Sequence, residues 1–390
     1  EDGIRDVERS RGLGDVYKRQ EIPFDKLMEE ALARAKKVKV KSSSLGMAPT
    51  ERVDSRYFVV ERKKWENVPL EEKVAYIKDL DEELKACCTK VKLSSRIVEV
   101  RYVIERKIYV NSDWTYIESR IPRVTFRYSL TAIGDGTPSH RKKLIGGSGG
   151  WELVEALEVA NRMKRDAKTL ENLLTNAKGV EQGTYDVVIS PEVVGLLVHE
   201  GVGHALEADS ILRKSPYGGS SYLTDFQTGV RLFSEKLTVV DDPLVPASLA
   251  YYLYDDEGVK ATKKTLIEGG IVKDFLHSRE TAFLTGTRSN GSARAEGYSH
   301  EPLVRMSNTY VERGDYSLDE LFEEVKRGLY LRGYNGWNVD ERRESNRLSA
   351  FEAYSIRRGE VTEPVKGVVV EGRTFELLGN VAGVGRDLEL

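Results

Sequence analysis

One stretch constrains this chain more than any other: Ser190-Pro191-Glu192-Val193-Val194-Gly195-Leu196-Leu197-Val198-His199-Glu200-Gly201-Val202-Gly203-His204-Ala205-Leu206-Glu207-Ala208-Asp209. It carries its own helix-start signal. Ser190 suits the cap, Pro191 fits the first helical position, and Glu192 places negative charge at the positive end of the helix dipole. From Val193 to Val198 the residues are apolar apart from Gly195, with no polar stripe, so the helix is expected to be buried. Two histidines and an acid follow that buried run. Burying polar groups is costly unless something satisfies them, and a metal ion does so.

The spacing departs from the common zinc-protease helix, in which histidines four apart share a face with a glutamate between them. Here His199 and His204 are five apart. At 3.6 residues per turn a regular helix separates such side chains by about 140°. Sharing one ion therefore requires a local break or a one-residue π-bulge. Gly201 and Gly203 lie inside the interval, where distortion costs least.

The segment resembles the TldD/PmbA family of metallopeptidases, whose TldD-type members carry His-Glu-x-x-x-His followed by an acid. His199, Glu200 and His204 match that pattern, and Glu207 and Asp209 fall where it continues. Gly291-Ser292-Ala293-Arg294 and Glu301 through Tyr310 are similar to the family's second glycine- and arginine-rich block. Phe351-Glu352-Ala353-Tyr354 and Val361 through Gly367 are similar to its later hairpin region. The resemblance runs from about Arg96 to Leu390.

That resemblance implies a zinc-dependent peptidase acting on unfolded peptides or oligopeptides. His199 and His204 would hold Zn2+, and Glu200 would be general base for a zinc-activated water. Arg294, His300 and Arg305 would face the peptide. The family's third ligand is a cysteine near the C-terminus; no cysteine follows Cys88, so that ligand is expected beyond Leu390, in a longer natural chain. The family also implies a two-subunit assembly with a TldE/PmbA-type homologue, and a second copy of this chain is the alternative partner. Glu207 and Asp209 would orient the histidines from behind. Two other readings compete. One is a non-catalytic binding or assembly subunit with an incomplete metal site; the other is a different metal-dependent hydrolase that uses Glu207 or Asp209 as a ligand.

The expected fold class is α+β. An N-terminal domain of helix and antiparallel sheet spans 21–180, and a mostly antiparallel β domain carrying the metal-site helix spans 181–390. Residues 1–20 read as a non-native or disordered tail, charged and without apolar period. Helices are expected over 22–38, 69–88 and 151–174, strands over 96–110 and 115–133, and a short helix over 318–330. Gly146 to Gly150 reads as a flexible joint, Pro122 as an edge marker, and Gly269-Gly270 as a hairpin turn. A net charge of −3 gives no electrostatic case for nucleic acid. No run approaches the ~20 apolar residues of a membrane span. Two adjacent cysteines, Cys87 and Cys88, make no disulfide framework, which favours a reducing cytoplasm.

Overall fold

The protein is described by a computed structural model covering residues 24–37, 46–213 and 220–389. The tail expected over 1–20 lies outside the described residues. The chain divides into a unit ending at Gly46 and a unit running from Met47 to Leu390. In the first, α1 (Phe24–Lys37) has Asp25 in its first turn and Arg34, Lys36 and Lys37 in its last, which complements the helix dipole.

The second unit opens with β1 (Asp54–Phe58) and α2 (Leu70–Cys87), followed by three long strands, β2 (Lys92–Val110), β3 (Tyr116–Gly134) and β4 (Thr137–Ser148). β3 is the central strand. It pairs antiparallel with β2 along its length; on its other side β1 pairs parallel with 116–120 and β4 pairs antiparallel with 123–134. Pro122 is therefore interior, contrary to the edge expectation. It is tolerated because it falls in the gap between the two partners, where its carbonyl accepts from Gly149 N–H. Every second residue of β3 from Val124 to Ala132 is fully buried: Val124, Phe126, Tyr128, Leu130 and Ala132.

The helix expected over 151–174 is broken in two, α3 (Glu152–Ala156) and α4 (Val159–Asn176). Glu158 sits between them at φ 47°, and Arg162 Nε donates to the Leu157 carbonyl left orphaned at the break. α4 lays Val159, Met163, Ala167 and Leu170 onto the buried face of β3, each wholly buried. Burying an aliphatic side chain of this size stabilises by roughly 1.5–3 kcal/mol. The glycines at 146 and 147 are not a joint. They pair with Thr125 and Val124, and a Cβ on Gly146 would stand 2.4 Å from the Val124 carbonyl oxygen.

Beyond β5 (Lys178–Gly179) comes β6 (Asp186–Ile189), which leads directly into α5 (Pro191–Val198); α6 (Ala208–Ile211) follows shortly after. Then come β7 (Val239–Asp241), β8 (Lys264–Glu268), β9 (Ile271–Val272), α7 (Arg279–Thr285), β10 (Ala293–Arg294), β11 (Leu303–Val304) and β12 (Thr309–Val311). The chain closes with α8 (Leu318–Glu323), β13 (Arg327–Val339), β14 (Ser345–Arg357), β15 (Glu360–Lys366), β16 (Val369–Arg373) and α9 (Thr374–Gly379). α8 is shorter than expected. A Ser317–Glu320 capping box starts it, and by Arg327 the chain has entered β13, paired between β6 and β14.

Pairing is mostly antiparallel, so the α+β expectation holds. Among the described residues three strand pairs depart from it by running parallel: β1 with β3, β6 with β13, and β5 with β15. One core surrounds the residues after α5, where Val202, Ala205 and Leu206 pack among Leu266, Leu276 and Val304, all at most 1% exposed. Among the described residues no helix is long and apolar enough to cross a membrane.

Candidate metal centre

α5 is anchored at its start and bent at its end. Pro191 occupies the first turn as expected, but Ser190 makes no side-chain cap; its hydroxyl instead accepts from Gly333 N–H. Glu192 does more than complement the dipole. Both of its oxygens lie 3.0 Å from Arg141 Nη2, and Lys143 Nζ is 2.6 Å away. At the other end, His199–Gly203 is one π turn, closed by the His204 N–H donating to the His199 carbonyl, and His204–Leu206 tightens into a 3-10 turn.

The wide turn inserts one residue and brings the two histidines to one side. Their ring centroids are 4.8 Å apart with planes at 84°. Ligand atoms of His199, Glu200 and His204 all lie within 4.8 Å of one another.

The glycines are required by close neighbours as well as by bending. A Cβ on Gly203 would fall 1.7 Å from Met306 Sδ, and one on Gly201 would fall 2.9 Å from Thr374 Cγ2. Two carbonyls of the distorted turns accept hydrogen bonds from one segment. Tyr222 donates its hydroxyl to the Gly201 carbonyl at 2.9 Å, and Ser221 Oγ donates to that of Ala205 at 2.7 Å. Neither residue was singled out by the sequence, because only the fold brings them there.

The electrostatics favour neutral imidazoles. Burial first, then the neighbouring His204, holds His199 down to about 4. Burial first, then the Arg343 guanidinium, does the same to His204, also to about 4. Neutral imidazole is the metal-binding form. His204 Nδ1 lies 3.1 Å from Glu207 Oε2, which leaves Nε2 for an ion. Burial pushes Glu207 up to about 8, against the pull of Arg305 and Arg343. Asp209 does not reach a histidine. Its carboxyl accepts from the backbone N–H groups of Ser210 and Val304, and burial raises it to about 6.

Of the three residues expected to face a peptide, Arg305 adjoins the site, with Nη1 3.5 Å from Glu207 Oε2. Arg294 donates to the Met306 carbonyl, beneath the residue that packs on Gly203. His300 is exposed, its Nδ1 3.3 Å from Ser299 Oγ. The residue that sequence reasoning missed is Arg343, whose Nη1 stands 2.6 Å from Glu200 Oε2. Asp340-Glu341-Arg342-Arg343-Glu344 reads as a solvated charged turn, and no local signal distinguishes it.

Two neutral imidazoles and a carboxylate fit a borderline divalent ion such as zinc. Among the described residues the only cysteines, Cys87 and Cys88, lie outside this cluster. A helix that presents two histidines and a glutamate to one point is the metallopeptidase arrangement, reached here through a π turn.

Comparison with known proteins agrees. Residues 63–171 match the PmbA/TldA metallopeptidase central domain and residues 182–390 its C-terminal domain. The chain belongs to the PmbA/TldD metallopeptidase family. It is 38% identical over 282 residues to a metalloprotease of Methanothermobacter thermautotrophicus, covering 72% of this chain and 60% of that relative. It is 35% identical over 235 residues to the zinc metalloprotease TldD homolog of Saccharolobus solfataricus, covering 59% of this chain and 49% of that one. The chain thus spans less than two thirds of either relative's length.

Two crystal structures share the fold. TM0727 of Thermotoga maritima has a TM-score of 0.77 at 23% identity, over 94% of this chain and 79% of that one. TldE of Thermococcus kodakarensis has a TM-score of 0.71 at 18% identity, over 94% and 80%.

Proposed function

We propose that this protein is a zinc-dependent peptidase of the TldD type, cleaving unfolded peptides or oligopeptides, with its catalytic domain within 181–390. The convergence of His199, Glu200 and His204 within 4.8 Å through the π turn carries the reading. His199 and His204 would hold the ion, which when bound supplies Lewis acidity toward water and the scissile carbonyl. A third ligand of the family kind, a cysteine, would complete the set. Glu207 fixes the tautomer and tilt of His204 by accepting from Nδ1. Glu200 takes the proton of the attacking water and returns it to the leaving amine.

The name of the Saccharolobus relative supports zinc. The shared fold with TldE supports pairing with a homologous subunit of that type, or with a second copy. A cytoplasmic location fits the two free cysteines.

The test is Glu200→Gln in the zinc-loaded protein, with zinc content and cleavage of an unstructured peptide measured side by side. General-base catalysis contributes about 10²–10⁴-fold. The variant is expected to keep its zinc and lose at least about 10²-fold in kcat. Cleavage at the wild-type rate with zinc retained would remove Glu200 from the mechanism. A wild-type protein that binds no zinc would favour the assembly-subunit reading instead.

A further inference from the structure

Three ligand-capable side chains converge at the end of α5, but one of them is already engaged. Glu200 Oε2 lies 2.6 Å from Arg343 Nη1, and the two side chains are only 17% and 22% exposed. Arg343 is itself held. It occupies the turn between β13 and β14 at φ 63°, its N–H donates to the Asp340 carbonyl at 3.0 Å, and its own carbonyl accepts the Thr374 hydroxyl. Thr374 is wholly buried; its N–H donates to the Glu344 carbonyl and its hydroxyl accepts from Asn346 Nδ2, each at 2.8 Å. A Cβ added at Gly201 in the π turn would stand 2.9 Å from the methyl of the same threonine. One residue thus lies against both the hairpin and the metal segment.

A carboxylate beside two imidazoles is a good ligand for a divalent ion. Bound to the ion, it is no longer available to take a proton from water. We infer that Arg343 is a positioning residue that keeps Glu200 out of the ion's coordination shell and reserves it for proton transfer. The inference rests on reading Glu200 as the base. The guanidinium is suited to this because it stays charged and holds a carboxylate in fixed geometry. Its charge also acts on both imidazoles and on Glu207, so it opposes a further cation directly.

The consequence is opposite to that of an ordinary structural contact, whose loss loosens metal binding. The experiment titrates Zn2+ against a chromophoric chelator for the wild type, Arg343→Ala, Arg343→Lys, Glu200→Gln and the Arg343→Ala/Glu200→Gln double variant. Arg343→Ala should bind Zn2+ at least about tenfold more tightly, since the cation paired with Glu200 is removed and its carboxylate is released. Its kcat on an unstructured peptide should fall about 10²-fold with KM within about threefold, the cost of a displaced catalytic group. Arg343→Lys should stay near wild type in Zn2+ affinity.

In the double variant the part of the gain supplied by the released carboxylate should vanish, leaving only the part owed to the removed Arg343 charge. Unchanged or weaker Zn2+ binding in Arg343→Ala, or a gain that survives whole in the double variant, overturns the inference. Should Arg343→Ala not fold, Arg343→Gln is read in the same way. A Glu200→Gln protein that still cleaves normally would defeat the base assignment alone, because the affinity differences are measured without turnover.

Discussion

Arg141→Met is expected to lower the stability of the folded chain by about 3–5 kcal/mol, the cost of leaving buried charge without its partner. Arg141 is 2% exposed on β4 and uses its whole fork. Nε donates to Asp166 at 3.1 Å, Nη2 to both oxygens of Glu192 at 3.0 Å, and Nη1 to the Tyr334 carbonyl at 2.9 Å. The guanidinium also stacks over the Phe351 ring at 4.3 Å. Methionine fills the volume but satisfies none of these groups. Asp166 would keep only the Tyr128 hydroxyl, and Glu192 only Lys143.

Urea unfolding should show a lower midpoint with an unchanged slope. Arg141→Met/Asp166→Leu should recover part of the loss, because a buried pair replaced by packed apolar groups is often neutral. The pH dependence gives a second check. Burial opposes ionisation of Glu192, but Arg141 and Lys143 outweigh it and hold the carboxyl below its ordinary range. A carboxyl with a depressed folded pKa stabilises fully above its unfolded value of 4.5 and loses that contribution as pH falls through the folded value. The gap between wild type and variant should therefore narrow in acid below pH 4.5. A loss under 1 kcal/mol at neutral pH would mean that the network holds nothing together.

What the sequence made legible was local. The apolar run from Val193 to Val198 announced a helix, which buries Val193, Leu197 and Val198, and the five-residue interval between His199 and His204 called for a local break or a π turn, which Gly201 and Gly203 permit. The alternation from Arg96 to Val110 marked β2, and the Gly269-Gly270 pair marked the turn between β8 and β9. What stayed hidden depends on residues far apart in the chain. Arg343 approaches Glu200 across 143 positions because β13 and β14 fold back beside α5, and nothing in its own neighbourhood says so. Glu192 read only as a dipole partner; its contact with Arg141 exists because β4 and α5 lie side by side. The glycines at 146 and 147 misled for the same reason. Small residues that admit another backbone read, in isolation, like flexible ones.

Freedom and close approach separate at the two glycines of a single turn. Gly269 and Gly270 both have positive φ, 52° and 76°, as a two-residue hairpin turn requires. Alanine at 269 meets nothing nearer than the Glu235 carbonyl oxygen at 3.5 Å, so it should cost only the left-handed penalty of about 1–2 kcal/mol. At 270 a Cβ would stand 2.1 Å from the Phe233 carbonyl oxygen and 2.6 Å from that of Ser234. Those atoms are main chain and cannot swing aside. Adding about 1–3 kcal/mol of overpacking to the left-handed penalty puts Gly270→Ala at about 2–5 kcal/mol.

The displaced segment also supports the site. Phe233 stacks on Phe375 at 6.1 Å, Ser234 N–H donates to the Leu378 carbonyl at 3.1 Å, and α9, which holds both, begins with Thr374. A shift there passes to the threonine that steadies Arg343 and touches Gly201. Gly270→Ala should accordingly alter Zn2+ affinity as well as the melting temperature, and Gly269→Ala should change affinity little. Equal destabilisation by the two alanines would show that backbone conformation alone, rather than the backbone packed over the turn, sets the requirement for glycine at 270.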